Sequence, residues 1–299
     1  MRYKAVLFDL DNTLMKYDAS ENIAMKSAVE ELGLTGHRGF SWAGYWEVFR
    51  RINTYYWENR ADLHLDTGQM LRLSFGDTLS ELGMDGSLAA PLADLYWRIF
   101  CRTCEFEVGA PELLAALHGK ARLAIVSNGI GEAQRGRLAA GGVAHYFDAV
   151  VACDEVGCSK PDAAIFHLAL ERLGVDRKDA LYVGDSLHFD FGGTRNAGID
   201  FCYYCAGDEP VAGERKAGAA VGAGAAQRAA MAAGGGGSPA GTAVGGGAAQ
   251  RVTEAAGGGG TSNDEDGAGG EMVGIQGDSA SQPKFTVRHL CEIRDLLGV

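Results

Sequence analysis

The sequence predicts an α/β fold: a parallel-sheet core with an inserted helical segment and a long Gly/Ala-rich insertion. Three observations carry this. Short apolar runs recur along the chain, most of them followed by a helical pattern, which is the rhythm of a parallel sheet. Residues 15–104 show helical periodicity and no alternating strand pattern. Residues 207–281 hold half of the chain's 44 glycines and almost no large apolar side chains.

The first run, residues 5–8, is a short buried strand that ends in two carboxylates, Asp9 and Asp11. From Met15 the pattern turns helical. Ile23, Val29 and Leu32 form one apolar face, and Trp42, Tyr45, Trp46, Phe49, Ile52 and Tyr56 recur at spacings of three and four. Further stripes run through Met70, Leu71, Leu73 and Phe75, then Leu88, Leu92, Leu95 and Ile99. All four tryptophans fall in this segment, enough for a small core of its own. A helix over 111–117 opens with Pro, which first turns tolerate. Strands follow at 122–126, 149–151, 180–183 and 200–205, with helices at 132–139, 163–173 and 192–197. Residues 207–281 cannot bury enough surface to offset the entropy of ordering, and the expectation is a disordered insertion. Lys284 to Val287 resumes as a strand, and Leu290, Ile293 and Leu297 have the spacing of a short helix. The insertion therefore interrupts one domain near its last strand.

The net charge of −12 argues against a broad nucleic-acid or anionic-membrane surface, but not against a small phosphorylated substrate. No apolar run reaches membrane-spanning length and no secretory signal precedes the first strand, so the expected location is the cytoplasm. The pairs Cys101/Cys104 and Cys202/Cys205 have a zinc-like spacing, but one lies in a helical and the other in a strand pattern, so buried thiols are expected.

The tips of parallel strands converge on one edge of the sheet. Asp9 and Asp11 point the same way there if the backbone stays extended, and their mutual repulsion invites a cation; the plainer alternative is a strand running into an acidic turn. The second strand brings Ser127, Asn128 and a turn whose N–H groups suit an anion. Lys160, followed by Pro161, adds a positive charge, and the fourth strand adds Asp185 and Asp190. His188 in that last loop reads as an exposed histidine.

The series Asp-x-Asp-x-Thr, Ser-Asn-Gly, Lys-Pro and Gly-Asp-x-x-x-x-Asp, each in its strand context, resembles the haloacid dehalogenase superfamily. The resemblance runs from Tyr3 to about Tyr204 and again from Lys284 onward. It implies a Rossmann-like core of residues 1–14, 105–206 and 282–299, a helical cap of residues 15–104, and leaves 207–281 outside. It also implies a Mg²⁺-dependent phosphatase. Asp9 is then the nucleophile and Asp11 the general acid/base. Asp9, Asp11 (through its carbonyl) and Asp185 hold the metal, with Asp190 behind them or paired to Lys160. Ser127, Lys160 and more weakly Asn128 meet the phosphoryl group, and Thr13 supports the loop. The Ile52-Asn53-Thr54-Tyr55-Tyr56-Trp57-Glu58 stretch and the motifs around Lys160 and His289 resemble the branch that dephosphorylates pyrimidine and non-standard nucleoside 5′-monophosphates. Sugar phosphates and phosphoglycolate stand as alternative substrates; a dehalogenase and a non-catalytic binding module are the competing functions.

Overall fold

The computed structural model describes residues 2–206 and 282–299. The sequence expectations for 207–281 lie outside the described residues.

Six strands form one parallel sheet: β1 (Ala5–Phe8), β2 (Arg122–Ser127), β3 (Ala149–Ala152), β4 (Ala180–Gly184), β5 (Asp200–Tyr204) and β6 (Phe285–Val287), in the spatial order β3-β2-β1-β4-β5-β6. The chain moves outward from β1 through β2 to β3, then returns to the other side of β1 with β4. This reversal opens a crevice at the carboxyl ends of β1 and β4. Register is set by Ala5 opposite both Arg122 and Ala180, and by Phe8 opposite Ile125 and Val183. Pairing extends one residue further, where Asp9 N–H donates to Val183 O at 2.9 Å.

Every residue of β1 and β4 is buried, because both faces of the sheet are covered. The period of two divides their side chains. Leu7, Ala124, Val126 and Tyr182 pack into one apolar cluster with the helical segment and α8 (Ala163–Leu173). Val6, Phe8, Ile125 and Val183 pack into a second cluster with α5 (Ala110–Leu117) and the C-terminal helix α10 (Cys291–Leu297). β6 pairs with β5 in parallel, so the chain after residue 281 belongs to this same sheet.

Between β1 and α5 lie four helices: α1 (Tyr17–Glu31), α2 (Trp42–Asn59), α3 (Thr67–Glu81) and α4 (Ala89–Phe100). Their starts follow from local chemistry. Asp66 and Gln69 form a capping box at α3, and the Ser41 hydroxyl accepts from Gly44 N–H at α2. Phe49, Phe75 and Tyr96 fill the centre with stacked and edge-on rings. The two chain segments that enter and leave these helices run side by side. Lys16 N–H donates to Glu105 O at 2.7 Å and Glu107 N–H to Leu14 O at 2.9 Å.

Two expected core positions are corrected. Ile23 is 41% exposed; the buried face of α1 is instead Ala24, Met25, Ala28 and Val29. Leu73 is 39% exposed, while Met70, Leu71 and Phe75 are buried. At about 100° per residue, Ile23 stands about 120° round α1 from Val29, and Leu73 stands about 160° round α3 from both Leu71 and Phe75. The short helix α7 (Cys153–Val156) after β3 was not anticipated from sequence.

Candidate active site

The loop after β1 is shaped by Asn12. Its φ of 57° is a left-handed conformation that Asn tolerates, and its side-chain oxygen accepts the Tyr17 N–H at 3.0 Å. The chain thus turns sharply after Asp11 and enters α1. Thr13 is fully buried, with its hydroxyl 3.5 Å from Asp185 Oδ1. It links the first loop to the tip of β4.

The crevice holds a line of buried charges. Lys160 is 2% exposed, and its ammonium lies 2.8 Å from Asp9 Oδ1, 2.7 Å from Asp190 Oδ1 and 3.0 Å from the Tyr182 hydroxyl. Burial pulls the Lys160 pKa down, but Asp190 and then Asp9 outweigh it and hold the ammonium charged. Asp190 is fully buried and uses its other oxygen to accept Ser186 N–H at 2.9 Å. Asp190 therefore acts from behind, steadying Lys160 and the loop after β4. Gly184 must be glycine here, since a Cβ would overlap the Asp190 carboxylate. Burial, reinforced by Asp190 and Asp9, raises the Tyr182 pKa, so its phenol keeps its proton and donates to Val126 O at 3.0 Å.

The structure gives Ser127 and Asn128 different tasks. The Ser127 oxygen accepts from Gly129 N–H at 3.0 Å and from Gln134 Nε2 at 2.9 Å. With its lone pairs engaged, the hydroxyl has its proton to give to an incoming oxygen. Asn128 was expected to meet phosphate, but its side-chain amide is committed to the Lys160 backbone. Lys160 N–H donates to Asn128 Oδ1 at 2.8 Å, and Asn128 Nδ2 donates to Lys160 O at 3.0 Å. This pair fixes where Lys160 sits. Lys160 itself has three N–H groups and three acceptors, so meeting a phosphoryl oxygen requires it to exchange one partner.

Asp11 faces a second set of partners. It accepts from Gln134 Nε2 at 2.8 Å and from Arg137 Nη1, both on α6 (Gly131–Ala140). Arg137 is fully buried, a rare state for an arginine. Sequence reading missed Gln134, Arg137 and Tyr182. The available signal was two polar residues three apart on a helix that opens shortly after Ser-Asn-Gly. His188 is exposed, with its ring edge-on to Phe189.

Asp9, Asp185 and Asp190 bring carboxylate oxygens within 4.8 Å of one another. An all-oxygen donor set of this kind fits a hard cation such as Mg²⁺, not a thiolate or imidazole metal. Within this set Asp190 has Lys160 and Ser186 on its two oxygens.

A parallel α/β sheet with an acidic crevice at its switch point, crossed by a buried lysine, is the framework of a hydrolase of the α/β class. The chain belongs to the haloacid dehalogenase-like hydrolases, whose family pattern it matches over residues 3–198. It is accordingly an enzyme, a phosphoric monoester hydrolase. It is 31% identical to the pyrimidine 5′-nucleotidase PynA of Streptococcus pneumoniae, over 68% of this chain and 84% of that one. It is 28% identical to the pyrimidine 5′-nucleotidase YjjG of Escherichia coli, over 68% and 86%. The solved structure of the HAD-hydrolase YfnB from Bacillus subtilis, bound to magnesium, superposes with a TM-score of 0.56 at 26% identity, covering 68% of this chain and 89% of that one. Among the described residues no helix is long and apolar enough to cross a membrane.

Proposed function

We propose that this enzyme is a Mg²⁺-dependent phosphatase of nucleoside 5′-monophosphates that works through an aspartyl-phosphate. The observation that carries the reading is the buried line Asp9–Lys160–Asp190 with Asp185 beside it, at the switch point of the sheet.

In this reading an oxygen of Asp9 attacks phosphorus and the bond to the ester oxygen breaks. Asp11 gives its proton to the leaving oxygen, then takes one from the water that opens the aspartyl-phosphate. Ser127 donates to a non-bridging oxygen. Lys160 steadies Asp9 and offsets charge through the transition state. Asp9, Asp185 and the Asp11 carbonyl would hold Mg²⁺, with Asp190 supporting that shell. The bound ion would neutralise charge on the transferring phosphoryl group.

The helical segment, residues 15–104 in our assignment, serves as a cap over residues 1–14, 105–206 and 282–299. Its role in substrate choice is supported by the cleft beside Asp11, which is lined by Trp57, Tyr96, Trp97 and Phe100 together with Ile130 and Gln134. A leaving group must depart toward the acid that protonates it, which points the body of the substrate at these rings; the space between them is only about 20 Å³, room for a water, so a base enters only once the helical segment moves outward. Flat rings favour a planar base over a sugar phosphate or phosphoglycolate. The similarity to two pyrimidine 5′-nucleotidases points the same way.

The test is a phosphate-release screen over pyrimidine and purine nucleoside monophosphates, sugar phosphates and phosphoglycolate, with Mg²⁺ and with chelator. We expect the pyrimidine monophosphates to lead and chelator to silence the reaction. Full turnover in chelator, or chloride release from 2-haloacids in its place, would remove the phosphatase mechanism. A sugar phosphate as the best substrate would remove the nucleotide assignment alone.

A further inference from the structure

The second charged group in the crevice is Arg137, and the mechanism above does not use it. It is fully buried on α6, and its guanidinium meets three separate parts of the chain. Nη1 donates to Asp11 Oδ1 and lies 3.3 Å from Gln134 Oε1. Nη2 lies 3.5 Å from the Ser20 hydroxyl on α1. The Phe100 ring, on the last turn of α4, stands 5.0 Å below the guanidinium carbon. Gln134 holds the other oxygen of Asp11 and also reaches the Ser127 hydroxyl.

We propose that Arg137 is a positioning residue for Asp11, supported by Gln134, and that it ties the aim of that carboxyl to the placement of α1 and α4. The reasoning is geometric. A carboxyl that must serve the leaving oxygen in one step and a water in the next needs a fixed direction. An aspartate on a tight turn has two free torsions of its own. Two donors from one rigid helix, one on each carboxyl oxygen, remove that freedom. A single flexible lysine does not reproduce a planar fork. A buried guanidinium needs a counter-charge wherever it sits; the one taken here is Asp11, and the remaining partners lie on both the helical segment and α6. Ser20 and Phe100 give the fork a second fixed side. When α1 or α4 shifts, the fork shifts, and Asp11 with it.

This inference rests on the phosphatase reading, and its test separates the two. The first-step rate is measured by rapid mixing on p-nitrophenyl phosphate, whose phenolate leaves without a proton, and on benzyl phosphate, whose alkoxide needs one. Arg137→Met is expected to slow the first step on benzyl phosphate at least about tenfold more than on p-nitrophenyl phosphate, within the range that general acid catalysis contributes. Arg137→Lys is expected to recover only part of that gap. In an Asp11→Asn background the extra effect of Arg137→Met on benzyl phosphate is expected to vanish, which a purely structural role does not produce. Circular dichroism and thermal melting of each variant establish that it is folded. Equal slowing on both esters by a folded Arg137→Met, or additive losses in the double variant, overturns the inference alone. A wild type that releases phosphate from neither ester overturns the phosphatase reading and this inference with it.

Discussion

At the strand tips, a lysine and two aspartates are buried in direct contact: Lys160 sits between Asp9 and Asp190 at 2.8 and 2.7 Å. In the helical segment, Glu21 is just as buried, yet it is handled in the opposite way. Burial first, then the nearby Asp18, push its pKa from 4.5 up to about 8. The Arg50 charge and the Tyr17 hydroxyl, 3.5 Å away, pull it only part of the way back. At the crevice, two carboxylates outweigh burial and hold the Lys160 ammonium charged. Between the helices, a carboxyl is kept neutral and behaves as a polar piece of the core. The comparison teaches that burial alone does not mark a reactive carboxylate; what matters is which groups it is buried with.

The contrast can be broken or sharpened by substitution. The largest effect is expected for Asp9→Asn, which should lower Mg²⁺-dependent phosphate release by roughly 10³-fold or more while leaving the melting curve close to wild type. Normal turnover by that variant takes the nucleophile role away from Asp9. Next is Lys160→Met. It strands two buried carboxylates and should cost about 3 kcal/mol or more of stability in denaturant titration, as well as activity. A loss below about 1 kcal/mol would mean that the charge line is not what holds the crevice together.

Glu21 gives a pH test with the sign fixed by its shift. Between about 4.5 and 8 the folded state holds a proton that the unfolded chain has released, so stability falls as pH rises through that window. Glu21→Gln should flatten the decline, with a higher melting temperature than wild type near pH 8 and little difference near pH 5. Parallel pH profiles for the two proteins would contradict a neutral Glu21. The smallest effect separates the two faces of α1. Ile23→Ala should change stability by less than about 0.5 kcal/mol, whereas Met25→Ala should cost about 2–4 kcal/mol. Similar losses at both positions would return Ile23 to the core.

Much of the site was legible because it is written at strand ends. Asp9, Ser127 and Asp185 each stand at or just beyond the tip of an apolar run, and in a parallel sheet such tips meet. The sequence did not reveal that the Asn128 amide is engaged by the Lys160 backbone, a contact across thirty-two residues of sequence. Sequence reading failed for Arg137 and Gln134. Their importance comes from α6 packing its inner face over the Asp11 loop, and a polar residue in a helical pattern does not announce which neighbour it meets. The Ile23 error is of the same kind, since the apolar pattern of α1 allows more than one face until α2 and α4 choose.

By itself the sequence determined the alternation of strand and helix, the parallel sheet and the residues at its tips, because those follow from local periodicity and from where apolar runs stop. The Lys160–Asp190 pair was one of two places the sequence offered for Asp190, but only the tertiary structure decided the other partnerships: Lys160 with Asp9, Arg137 with Asp11, Glu21 with no ion pair strong enough to keep it charged. Periodicity is a property of a few neighbouring residues, whereas the state of a buried charge depends on every group folded around it.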